Sequence, residues 1–82
     1  MTAKLFVGNL PYSCSDEDLR SVFTSTGIEP VDVRVIMDRS TGLSKGFGFV
    51  EIEDKETAVQ VRDALVGVVL GDRNLIIDLA RP

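Results

Sequence analysis

Aromatic residues at alternate positions are the most distinctive chemical feature of the chain. Residues 45–52 read KGFGFVEI, so Phe47 and Phe49 are two positions apart. On a β-strand such residues point to the same face, and the small or aliphatic residues between them point to the other. Leaving one phenylalanine exposed forgoes about 1.5–3 kcal/mol of burial free energy. Two exposed rings therefore require a function, and stacking on nucleic-acid bases is one that uses them.

Residues that usually carry catalysis are scarce. The chain has no histidine and a single cysteine, Cys14, and it has no phosphate-binding loop of the Walker type. Cys14 is expected to be a small loop residue, because no histidine is present to activate it. The acidic run at residues 16–18 is expected to stabilise a helix N-terminus rather than to bind a cation. The sequence therefore predicts a binding protein that is not an enzyme and has no cofactor or metal.

Length and charge restrict the function further. The 82 residues predict one domain over 1–82, and the net charge is −4 with a pI of about 4.6. This acidity argues against nucleic-acid binding through bulk charge and against an anionic membrane surface as partner. With one cysteine and no segment of the signal-peptide kind, the sequence predicts an intracellular protein, cytoplasmic or nuclear, or an organelle form that lacks its targeting segment.

The elements that would position the aromatic residues follow from hydrophobic periodicity. Strands are predicted over residues 4–8, 31–37, 46–52 and 75–80, with a short strand over 68–70 that is followed by a turn at residues 71–73. One helix is predicted to begin after Ser15 and to end at Gly27, and a second to run from Asp54 to about residue 66. The order β-α-β-β-α-β predicts an α+β, ferredoxin-like sandwich: a four-stranded antiparallel sheet with two helices on one face.

Two motifs on these strands resemble a known family. Residues 45–52, together with residues 5–10 (LFVGNL), resemble the two ribonucleoprotein motifs of the RNA recognition motif (RRM) domain. The octamer matches the family pattern at every position except the last, where Ile52 replaces an aromatic residue. Ile52 is expected to face the helices, so this departure concerns packing more than RNA contact.

The resemblance implies a single-stranded RNA-binding module, with single-stranded DNA as an alternative ligand. By position, Phe6 and Phe49 correspond to the residues that stack on bases and Phe47 to the residue that contacts sugars. Lys45 corresponds to a phosphate contact, and backbone groups near Ala80 and Arg81 correspond to those that read a base edge.

Further contacts are predicted at the margins of this surface. The side chains of Arg34, Asn9 and Asp78 are expected to contact base edges. Arg39, in the loop after the second strand, is also expected to contact RNA. Three acidic residues, Asp32, Glu51 and Asp78, are predicted to share the aromatic face, which favours modest affinity and weak salt dependence. Tyr12 is expected to pack at the sheet edge.

Two other functions use the same predicted fold. A partner protein could cover the aromatic face, which makes a protein-interaction domain the main alternative. An acylphosphate-type enzyme is the other, but the sequence offers no candidate set of catalytic residues for it. The chain is expected to be a monomer, and its sequence identifies no protein partner.

Overall fold

Six strands and two helices make up the computed structural model, which describes residues 2–80. The strands are β1 (Ala3–Gly8), β2 (Asp32–Met37), β3 (Ser44–Ile52), β4 (Val69–Leu70), β5 (Arg73–Asn74) and β6 (Ile76–Leu79). The helices are α1 (Asp16–Thr24) and α2 (Lys55–Ala64). An antiparallel sheet has the order β2-β3-β1-β6, and β4 pairs only with β5. The predicted ferredoxin-like fold is confirmed.

Several element ends differ from the prediction. Strand β3 begins two residues earlier than predicted, at Ser44, because Ser44 pairs with Met37 across a bulge in β2. Helix α2 ends at Ala64, before the left-handed Gly67 (φ 78°). Arg73, predicted as part of a turn, instead lies in the short strand β5. No helix formed by residues 2–80 is long and apolar enough to cross a membrane.

Helix α1 begins as predicted and is also tied to the sheet. The Ser15 hydroxyl accepts a hydrogen bond from the Asp18 backbone N–H (3.1 Å), and the Asp18 carboxylate accepts one from the Ser15 N–H (3.1 Å). The Asp16 carboxylate accepts a hydrogen bond from the Val35 backbone N–H at 2.8 Å. Two of the three acidic residues in this run therefore have structural partners, as expected for a helix start.

Helix α2 begins at the predicted N-cap. The Asp54 carboxylate accepts a hydrogen bond from the Thr57 backbone N–H at 2.7 Å. This bond to Thr57 holds the pKa of the Asp54 carboxyl below its ordinary value of 3.8. The carboxylate therefore favours the folded state above the ordinary pKa, and this contribution is lost as the pH falls through the lowered pKa.

The core lies between the sheet and the two helices. From β1 and β3 it receives Leu5, Val7, Val50 and Ile52, each with no exposed surface. The helices contribute Leu19 and Phe23 of α1 and Ala58 and Val61 of α2, which are buried in the same core. Because side chains alternate along a strand, the residues between these strand positions point to the opposite sheet face, which is called the open face below.

Gly48 lies where β3 packs tightly against the backbone of β2. A Cβ atom at this position would lie 2.6 Å from the Arg34 carbonyl oxygen and 3.0 Å from the Val35 Cα atom. Both neighbours are backbone atoms, so a side chain here requires a shift of the strand itself. The glycine is therefore needed for the close approach of the two strands.

We expect Gly48→Ala to lower the free energy of unfolding by about 1–3 kcal/mol, since overpacking of this kind distorts the backbone. Urea unfolding of the two proteins measures the difference. The matched control is Gly8→Ala, where an added Cβ meets the Phe6 ring before any backbone atom. Equal stability of Gly48→Ala and wild type would contradict the steric account.

Candidate nucleic-acid interface

The register of the central strands brings the aromatic residues together. Strands β1 and β3 pair so that Phe6 lies opposite Phe49 and Gly8 lies opposite Phe47. All three phenylalanines point to the open face and are partly exposed. Together, Phe6, Phe47 and Phe49 form what is called the phenylalanine platform below.

The three rings contact one another at similar spacing. The centroids of Phe6 and Phe47 are 6.0 Å apart with planes at 26°, so this pair is stacked. Phe49 meets Phe6 edge-on, with centroids 6.0 Å apart and planes at 69°, and meets Phe47 at 6.3 Å and 87°. These are the offset and edge-to-face arrangements that aromatic pairs favour. The rings therefore support one another while part of each remains accessible.

Charged residues flank the platform in rows that cross the sheet. Lys4 and Glu51 pair across β1 and β3, one row from the rings, and Arg34 and Asp78 stand at the two ends of the central row. From β2 towards β6, the first row contains Asp32, Glu51, Lys4 and Ala80. The central row contains Arg34, Phe49, Phe6 and Asp78, and the third row contains Phe47, Gly8 and Ile76. The open face therefore has one charged row, one mixed row and one apolar row.

The acidic residues predicted on this face are there, and each has a partner. Asp32 forms an ion pair with Arg34 at 3.8 Å, with both side chains largely exposed. Glu51 accepts a hydrogen bond from the Thr2 hydroxyl. The Asp78 carboxylate accepts a hydrogen bond from the Leu79 backbone N–H at 2.8 Å and lies 3.9 Å from an Arg62 guanidinium nitrogen. Part of the acidity near the rings is therefore neutralised locally.

A cleft opens beside Phe47, at the end of the platform nearest the β2–β3 connection. The exposed Lys45 contributes to its wall, as does Tyr12 from the loop after β1. Its volume is about 520 Å³, and it is lined by Tyr12, Asp38, Thr41, Leu43, Ser44, Lys45 and Phe47. Arg39 is exposed in the same connection but does not line this cleft.

A larger groove lies at the opposite end of the platform, beside Phe49. It has a volume of about 1200 Å³ and is lined by Thr2, Ala3, Lys4, Phe49, Glu51, Lys55, Arg62, Asp78, Leu79 and Ala80. The Ala80 backbone N–H donates to the Lys4 carbonyl oxygen at 2.8 Å, which extends the pairing of β6 with β1. Arg81, predicted as a further contact, lies outside the described residues.

Asn9 is engaged within the protein. Its side-chain amide donates to the Asn74 carbonyl oxygen at 2.8 Å, and its side-chain oxygen accepts from the Arg73 guanidinium at 3.1 Å. The Arg73 Cζ atom lies 5.3 Å from the centroid of the Tyr12 ring. Tyr12 is 57% exposed, so it packs less at the sheet edge than predicted.

This Asn9–Arg73–Tyr12 cluster was not predicted. Asn9 and Arg73 are 64 positions apart in sequence, and Arg73 is predicted to lie in a turn. The sequence signal available for this cluster was an aromatic residue, Tyr12, shortly after the first motif. Nothing local indicates that an arginine of the β4–β5 hairpin would cover it.

Cys14 is buried, and its thiol donates to the Ser15 carbonyl oxygen at 3.4 Å. Burial raises the pKa of the Cys14 thiol above its ordinary value of 9.0, and the charges of Asp18 and Asp16 add to this effect. The thiol is therefore protonated near neutral pH and is a poor nucleophile. Cys14 lies in the loop before α1, which agrees with the interpretation of Cys14 as a small loop residue.

Comparison with known proteins identifies relatives that match nearly the full length of this chain. Residues 5–76 match the family profile described as RNA recognition motif. The chain is 44% identical over 79 residues to the glycine-rich RNA-binding protein 3, mitochondrial, of Arabidopsis thaliana. That match includes 96% of this chain but 25% of the relative, so the chain spans about a quarter of the relative's length.

Solved structures agree with this assignment. The crystal structure of RNA binding protein PG1 superposes with a TM-score of 0.84 at 40% identity and covers 98% of both chains. The first two RRM domains of the yeast poly(U) binding protein Pub1 superpose with a TM-score of 0.88 at 34% identity, over 99% of this chain and 48% of that one. None of these three names describes an enzyme, in agreement with the prediction of a binding protein.

Proposed function

The chain belongs to the RNA recognition motif family, and on that premise we propose that it binds single-stranded RNA on its open face. The observation that carries the proposal is the phenylalanine platform. Phe6, Phe47 and Phe49 are partly exposed on the two central strands, with all centroid distances between 6.0 and 6.3 Å. Neither α1 nor α2 packs on this face.

Stacking supplies most of the affinity in this proposal. Each base stacked on an aromatic side chain contributes about 1–3 kcal/mol, so three bases at the upper end of this range supply about the 8 kcal/mol that micromolar binding requires, with few phosphate contacts. Phe6 and Phe49, neighbours across β1 and β3, would stack on successive bases. The Phe47 ring, which is stacked with that of Phe6 at a centroid distance of 6.0 Å, would contact a sugar.

The charges around the platform favour an RNA that makes few phosphate contacts with the protein. Lys45 is exposed at the cleft beside Phe47 and is suited to a phosphate contact. Arg34 carries its own counterion, Asp32, and this ion pair reduces its attraction for phosphate. Arg39, in the β2–β3 connection, would provide a weaker and more mobile contact than a strand residue.

Base edges would be read at the β6 side of the platform. The exposed Asp78 lies directly opposite Phe6 in the register, next to a base stacked on that ring. Its carboxylate can accept a hydrogen bond from an exocyclic amino group, which uracil lacks. The backbone near Ala80 and Arg81 would read a further edge. Asn9 would need to exchange its bonds with Arg73 and Asn74 before contacting RNA.

The choice of probe and the wider setting follow from the relatives. The yeast relative binds poly(U) according to its name, so a uridine oligonucleotide is a suitable first ligand beside a random pool. We also propose that the chain acts as one monomeric, intracellular RNA-binding module; it spans a quarter of the length of the Arabidopsis relative. Additional modules on a longer chain would raise affinity through avidity.

We expect Phe6→Ala combined with Phe49→Ala to weaken RNA binding by about 2–6 kcal/mol, because two stacked bases lose their supports. Fluorescence anisotropy of a labelled oligonucleotide measures this loss. The control is Val66→Ala, which removes an apolar side chain that is 81% exposed just after α2. The control should bind as wild type does.

The same experiment separates the alternative function. If the open face binds a protein instead, the double variant and wild type should show equal RNA affinity. Absence of binding by wild type up to high micromolar concentration at low salt would reject the RNA proposal itself.

The salt dependence of binding should be weak. Each phosphate contact on a single strand adds about 0.7 to the slope of log affinity against log salt, so one or two contacts give a slope of about −0.7 to −1.4. We expect Lys45→Ala to reduce this slope by about 0.7, since it removes one such contact. Titrations at several salt concentrations measure the slope.

Arg20→Gln is the matched control, because Arg20 lies on α1 and pairs with Glu29 at 2.9 Å. It changes the net charge by the same amount without touching the open face. If both variants alter the slope equally, Lys45 acts only through net charge, and the predicted contact between Lys45 and a phosphate is wrong.

A further inference from the structure

Gly8 occupies an unusual place on the open face. In the sheet register it lies between Phe47 of β3 and Ile76 of β6, in the middle of the apolar row. Its backbone does not adopt the left-handed conformation that favours glycine, unlike that of the neighbouring Asn9 (φ 60°). The conformation of the strand therefore gives no reason for glycine at this position.

The surroundings of Gly8 do give a reason. A Cβ atom here would lie 2.9 Å from Cε2 and 3.3 Å from Cζ of Phe6, closer than ordinary contact. The next neighbour, the Ile76 Cβ atom, is at an ordinary 3.8 Å. The obstacle is therefore the outer edge of one side-chain ring, whereas at Gly48 it is the backbone of the adjacent strand.

We infer that Gly8 is a positioning residue for the phenylalanine platform. Without a Cβ atom at Gly8, the Phe6 ring can extend over β1 into the space between Phe47 and Ile76. This position places Phe6 in its stacked relation to Phe47, with ring planes at 26°. A methyl group at Gly8 would displace the ring and change the surface offered to a base. The inference deepens the proposed RNA-binding function and rests on it.

This role predicts opposite effects on stability and binding. Glycine within a strand is intrinsically unfavourable, because the unfolded chain gains more freedom and no side chain packs. Gly8→Ala removes that disadvantage, and the ring it displaces can move at little cost. The variant should be at least as stable as wild type while binding RNA less tightly. If Gly8 were needed only for folding, its replacement by alanine would lower the stability of the protein.

The experiment compares four proteins: wild type, Gly8→Ala, Phe6→Ala and the double variant. Urea unfolding gives their stability, and anisotropy of a labelled uridine oligonucleotide gives their affinity. We expect Gly8→Ala to weaken binding by about 3- to 10-fold, part of the contribution of one stacked base. In the Phe6→Ala background the same change should have no effect, because no ring remains to be displaced.

Each result has a distinct meaning. If Phe6→Ala binds as tightly as wild type, the proposed function fails. If Phe6→Ala weakens binding but Gly8→Ala does not, or weakens it equally in both backgrounds, the role of Gly8 is wrong. A lower unfolding midpoint for Gly8→Ala also overturns it. Independently of any variant, wild-type NMR spectra should show contacts between a Gly8 α-proton and the Phe6 ring protons, and their absence would refute the geometry.

Discussion

The antiparallel pairing of β1 with β3 is the constraint on which the open face depends. This register sets Phe6 opposite Phe49 and Gly8 opposite Phe47. A slip of one residue would turn every side chain of β1 to the other face and move Phe6 into the core. Complete burial of Leu5 and Val7 on the helix side opposes that slip, so the hydrophobic core and the aromatic surface are two consequences of one register.

An acidic domain that binds RNA must rely on something other than bulk charge. Two of the thirteen acidic residues, Asp16 and Asp18, have structural roles at the start of α1. On the open face, Asp32 is paired with Arg34. The rings thus lie among charges that largely compensate one another, and stacking, which depends little on salt, becomes the main source of affinity in the proposal.

The sequence predicted what depends on local pattern and missed what depends on contacts distant in sequence. Alternation along β1 and β3 predicted the face of Phe6, Phe47, Phe49 and Ile52, because a strand has a fixed period of two. The contact of Arg73 with Asn9 was not predictable, since the two residues are distant in sequence and meet only in the folded protein. The contacts at Gly8 and Gly48 depend on distances across the sheet, which no periodicity encodes. The binding roles of Lys45, Arg34, Arg39, Asn9, Asp78 and Ala80 stay predictions.

The central claim is that RNA lies on the open face across β1 and β3. Titration of the ¹⁵N-labelled protein with a uridine oligonucleotide and with a random-sequence RNA pool, followed through backbone amide shifts, tests it most directly. The account predicts that the largest shifts fall on β1, β3 and the residues after β6, while α1 and α2 change little. Shifts concentrated on the helices, or none at any concentration, would contradict it.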